Sequence, residues 1–121
     1  MPRFIMLLKT SESQADVPES LYHAIGETAK GWIADGTMLD TGGLVPTSDS
    51  ARVQLSGGQV TTVPGPFADG DQAVTAYAIV KADDLDGAVK LGNEFIGLYA
   101  EHMPGWRGAS EIRQIFGGTG G

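Results

Sequence analysis

Few side chains in this 121-residue sequence are suited to moving a proton or holding an anion. There are two histidines and no cysteine. His102 stands just before Pro104, where a helical pattern stops. An imidazole there is suited to general base work near neutral pH, and equally to capping a helix C-terminus as a cation. Asp40 precedes Gly42-Gly43 in an extended segment; glycines there either let a backbone approach a ligand or make a bulge. Arg52 and Arg113 fall in strand patterns, where a guanidinium can fork onto a substrate carboxylate or pair with a neighbour such as Glu111. Phe67, Tyr77 and Trp106 are candidate walls of an apolar pocket, or core and interface residues. His23 and Glu27 are four apart on one helical face, a spacing that can hold a metal, but no further ligand follows at useful spacing. We therefore expect neither metal nor cofactor. The glycines form no phosphate loop, and no serine sits in a nucleophile elbow.

The elements that must position these residues follow from the hydrophobic pattern. Arg3 to Leu8 is short and almost wholly apolar, as in a strand buried on both faces. Ser11 to Val17 is a polar loop. A helix starts near Pro18, with a stripe of Leu21, Ala24, Ile25, Thr28, Ala29 and Trp32, and ends at Gly36. Thr37 to Leu44 is extended. Gly57-Gly58, between Ala51–Leu55 and Gln59–Val63, signals a hairpin that pairs Leu55 with Val60, Val53 with Thr62 and Arg52 with Val63. Pro64 to Asp71 is an irregular loop, expected to border a ligand site. Val74 to Lys81 is a strand apolar on both faces. A second helix opens at Asp83, the expected N-cap, and carries Leu85, Ala88, Val89, Gly92, Phe95, Ile96 and Tyr99 inward. Ser110 to Phe116 is the last strand. One domain is expected over residues 1–116, followed by a flexible glycine-rich tail, 117–121.

That order is α+β: a ferredoxin-like βαββαβ unit with an inserted β-hairpin. Two helices cover one face of such a sheet. Because two strands are apolar on both sides, a second copy is expected on the other face, giving a homodimer through the sheets.

Bulk properties narrow the partners. Net charge is −7, from 15 acids and 8 bases, with no basic cluster. Nucleic acid and anionic membranes are therefore excluded as partners. No apolar stretch approaches the ~20 residues of a membrane span. The N-terminal apolar run stops at Lys9 without a cleavage site, so it reads as a strand and not a signal peptide. The lack of cysteine fits a reducing cytoplasm.

The sequence resembles the YCII-related family, in its DGPF branch. Four stretches carry the likeness: Phe4-Ile5-Met6-Leu7-Leu8-Lys9; Gly36 to Pro46; Gly65-Pro66-Phe67-Ala68 ahead of Tyr77-Ala78-Ile79; and Glu111-Ile112-Arg113-Gln114. The resemblance implies a bacterial protein forming a dimeric α+β barrel. Pro64 stands where the branch has its signature Asp, so any role of that carboxylate is lost or passes to Asp69 or Asp71. Other YCII proteins carry a His and Asp pair suggested to be catalytic. His23 is about two positions out of register with that His, and no Asp matches, so the pair is not carried over.

Three functions are compatible with these observations. By analogy with dimeric α+β-barrel enzymes, one is a cofactor-free lyase or isomerase acting on a small carboxylated or lactone-like metabolite, with His102 moving a proton and Arg52 or Arg113 holding the anion. The second is a small-ligand-binding module without turnover. The third is a regulatory partner, since DGPF proteins are often encoded beside extracytoplasmic-function sigma factors.

Overall fold

The computed structural model describes residues 1–14 and 16–118. The strands are β1 (Arg3–Thr10), β2 (Met38–Gly43), β3 (Ala51–Ser56), β4 (Gln59–Pro64), β5 (Val74–Lys81) and β6 (Gly108–Ile115); the helices are α1 (Glu19–Ala34) and α2 (Leu85–His102). Four strands form one antiparallel sheet in the order β2-β5-β1-β6, and β3 with β4 forms a separate two-stranded hairpin. The protein is thus α+β. Of the expected tail, Gly117 and Gly118 follow β6, and residues 119–121 lie outside the described residues, as does Ala15 of the first loop.

Strand alternation sorts the sheet into two faces. Phe4, Met6 and Leu8 of β1 are buried. They lie opposite Val80, Ala78 and Ala76 of β5 and Gln114, Ile112 and Ser110 of β6. Trp32 of α1 and Ala88 of α2 pack into the same cluster as Phe4 and Met6, so both helices cover this face. The opposite face carries Ile5, Leu7, Tyr77 and Ile79, with Arg3, Lys9, Lys81, Glu111 and Arg113 around them. Within one copy the residues of β1 alternate between buried and half-buried, because among the described residues nothing covers the second face.

The element boundaries move slightly from the sequence reading. β1 runs on to Thr10, whose hydroxyl donates to the Arg107 carbonyl at 2.7 Å, and β6 starts at Gly108. The N-cap of α2 is Asp84, one residue later than expected. Its carboxylate accepts the Gly87 amide at 2.8 Å, so Asp83 is left outside the helix. Pro18 occupies the N-cap position of α1 and offers no side-chain cap. Gly36, at φ +80°, follows that helix as an αL residue. The hairpin register is the expected one, with Gly57 and Gly58 both at positive φ as a type I′ turn requires.

No helix among the described residues is long and apolar enough to cross a membrane.

Candidate functional site

The core is divided. One buried cluster contains Phe4, Met6, Trp32, Met38, Val80, Ala82 and Ala88; a second contains Leu8, Leu21, Tyr99 and Met103. Phe95 of α2 packs against both. Between the clusters, α1 and the sheet part to leave a cleft of about 340 Å³. Met6, Leu8 and Met38 of the sheet line it together with smaller residues. The helices present Tyr22, Ile25, Trp32, Phe95 and Tyr99, and the sheet's small contributions are Thr41, Gly43, Ala76, Ala78 and Ser110. Alanines and a glycine opposite rings leave space that interior packing would otherwise close.

The walls of this cleft are apolar, and none of its lining side chains is charged or an imidazole. Hydroxyls from Tyr22, Thr28, Thr41, Tyr99 and Ser110 stand among the lining residues as the polar groups available to a ligand. Tyr99 is buried; Trp106 lies on its ring at 4.2 Å and Phe95 meets it edge-on at 5.4 Å. Burial holds the Tyr99 phenol above its ordinary pKa, and the nearby Tyr22 adds to the effect.

Asp40 and Tyr77 are brought together across the edge strand β2, on the sheet face opposite the helices. The Tyr77 hydroxyl donates to Asp40 Oδ2 at 3.0 Å, and Asp40 Oδ1 accepts the Thr41 amide at 2.9 Å. The bond from Tyr77 to Asp40 is the main reason that the phenol is held above its ordinary pKa, so Tyr77 keeps its proton. Gly42 makes the arrangement possible: a Cβ there would lie 2.9 Å from Tyr77 Cε1. The bulge that the sequence suggested at Gly42-Gly43 lies earlier, between Met38 and Asp40.

Arg52 and Phe67 meet in a second place. The Arg52 guanidinium carbon sits 3.9 Å above the Phe67 ring, and Nη2 reaches both oxygens of Asp69 at 2.9 Å. The loop is fixed from behind. Glu12 accepts from the Thr47 amide at 2.7 Å and from its hydroxyl at 2.9 Å, and Thr47 Oγ1 accepts the Phe67 amide at 3.1 Å. Arg52, Phe67 and Asp69 line a more polar cleft of about 440 Å³ together with Lys9 and Thr47. The carboxylate that Arg52 was expected to take from a substrate is supplied there by Asp69.

The other candidates stand apart. Arg113 is exposed on the open sheet face, opposite Ile5. His102 is half-buried in the last turn of α2 with Nε2 3.6 Å from Glu101, and it is not among the residues lining the main cleft. Trp106 uses its ring on Tyr99 in the second core cluster. Among the described residues, no group of three His, Asp or Glu side chains is placed to hold a metal.

The sequence reading missed Tyr22, Thr41 and Ser110. A signal for the first existed: Tyr22, Ile25, Ala29 and Trp32 recur at three- and four-residue steps and form the edge of the α1 stripe that fronts the cleft. Comparison with protein-family models gives no match, and no curated protein matches the chain.

Proposed function

We propose that this chain is the ferredoxin-like subunit of a homodimer that binds a small, uncharged, largely apolar metabolite, of lactone-like or aromatic character, in the cleft between α1, α2 and the sheet. The strand order β2-β5-β1-β6 with both helices on one face supports the ferredoxin-like reading, as does the resemblance to the DGPF branch. The half-buried Ile5, Leu7, Tyr77 and Ile79 on the other face support the dimeric α+β barrel.

The observation that carries the binding reading is the composition of the cleft: about 340 Å³, walled by rings and methyls, with hydroxyls and no charge. A preformed apolar pocket with a few polar groups is the usual form of a small-molecule site. A carboxylate buried there would lose its hydration without gaining a cation, which costs several kcal/mol. A carboxylated ligand is better served at Arg52 and Phe67, where it would have to displace Asp69.

Binding is favoured over turnover because no imidazole or carboxylate lines the cleft. The lyase or isomerase reading draws its support from one feature, the Tyr77 phenol donating to Asp40 across the sheet edge from the cleft. Trp32 lines the cleft and reports its occupancy. Titration with neutral lactones and aromatics should change tryptophan fluorescence, and the matched carboxylates should bind at least about tenfold more weakly. Carboxylates binding more tightly than their neutral counterparts would overturn the proposal. Conversion of a bound lactone that is lost in Tyr77→Phe, with affinity retained, would favour the enzyme.

A further inference from the structure

Beyond its base, the hairpin β3–β4 packs on nothing among the described residues of its own chain. All twelve of its strand residues are exposed. Val53, Leu55 and Val60 share one face through the register and are 71, 72 and 70% exposed. An isolated two-stranded ribbon is marginal in water and needs a further apolar surface to pack on. Its other face, through Arg52, turns to its own loop at Phe67 and Asp69. The apolar face therefore points away from its own chain.

We infer that the hairpin is an arm that lies on the second copy in the homodimer, with Val53, Leu55 and Val60 as its contact residues. The inference rests on the dimer reading above. Three observations favour a second copy as the occupant. First, the area favours the arm. The open sheet face, four strands at ~4.8 Å spacing and about eight residues long, offers roughly 500 Å². That is near the lower limit for a specific interface, and the two-stranded arm brings it to roughly 700 Å², close to the ~800 Å² per partner of a standard one. Second, the arm is continuous with that face. Its base is tied by Gly65 donating to the Ser50 carbonyl at 2.8 Å and by Arg52 on Asp69, and Arg52 lines one cleft with Lys9 and Val74 at the end of β1 and β5. Third, residues 53–63 contain no charged side chain in a chain of net charge −7, so the arm approaches an identical acidic body without local repulsion.

The test is sedimentation equilibrium on the full chain, comparing wild type, the double variant Leu55→Asp/Val60→Asp and the sheet-face variant Ile79→Asp. Wild type should be dimeric at micromolar concentration. The double variant should raise the dimer Kd at least about a hundredfold with an unchanged circular dichroism spectrum, since both residues are exposed in one copy. A double variant that dimerises within about threefold of wild type, while Ile79→Asp does not dimerise, overturns the arm and leaves the sheet dimer standing. A wild-type monomer overturns both, and leaves the arm to a different partner. A second measurement does not depend on the charged variant folding. Because the chain has no other cysteine, a Leu55→Cys thiol can be labelled alone. Its labelling rate should rise at least about tenfold on dilution through the dimer Kd, and a rate independent of dilution overturns the inference.

Discussion

Filling the cleft should raise stability and remove binding together. Ala78 lies on β5 opposite Met6, faces the helices and lines the cleft. Ala78→Ile adds three carbons to a position that already tolerates a strand, and β-branching suits it. At ~0.8 kcal/mol per buried methylene, the transfer gain is about 2.4 kcal/mol. Fitting a branched side chain beside Trp32 and Met38 gives back roughly 1 kcal/mol in strain. The net gain is then about 1.4 kcal/mol. With an unfolding entropy of ~2.1 cal/mol/K per residue, this corresponds to a rise in Tm of roughly 5 °C. The assay is paired: thermal unfolding of the free protein, and tryptophan fluorescence titration with the neutral ligand that binds wild type. Tm should rise while affinity falls at least about tenfold. A lower Tm would mean that the space is not available to a side chain. A higher Tm with unchanged affinity would mean that the cleft is a packing defect and that the ligand binds elsewhere.

Gly42→Ala should put a methyl group 2.9 Å from Tyr77 Cε1. The expected cost is about 1–2 kcal/mol in urea unfolding, with the Tyr77 phenol moved off Asp40 and its titration, followed by tyrosinate absorbance, returning toward the ordinary range. Asp84→Ala removes the side-chain cap of α2 and should cost about 1 kcal/mol, while Asp83→Ala, outside the helix, should be close to neutral in the same assay. Alkaline stability should track Tyr99. Its folded pKa lies above 10.0 because burial disfavours the phenolate. The folded state therefore holds the proton that the unfolded chain releases. The resulting stability is fully present below pH 10 and is lost as pH rises through the raised folded value. Tyr99→Phe should flatten that decline in urea midpoints, and an unchanged slope would refute the assignment.

The parts of this molecule that were legible in sequence are those decided by local chemistry. Two glycines between alternating runs dictate a turn and with it the whole register of β3 and β4, because a type I′ turn leaves no freedom in pairing. The α1 and α2 stripes likewise identify the residues that face the sheet, since helix spacing alone puts them on one side. The N-cap of α2 was misplaced by one residue because Asp83 and Asp84 offer the same carboxylate. Only the backbone geometry determines which of the two reaches an amide three residues on.

The site was less legible because a cleft is an absence shared by distant segments. Ala76 and Ala78 read locally as ordinary small strand residues, and Trp32 and Phe95 as ordinary core. The void exists only because pairing puts the alanines of β5 beside Met6 and Leu8 of β1, beneath rings that come from both helices. Titratable side chains drew the sequence reading to His102 and Arg52. Each already has a carboxylate beside it, Glu101 and Asp69 respectively. A charged group on a surface finds such a partner readily, so its residue type says little about ligands. An apolar wall answered by alanine and glycine says more, because a folded chain normally closes such a gap with a larger side chain. On that ground the proposed ligand is assigned to the cleft and not to the charged candidates.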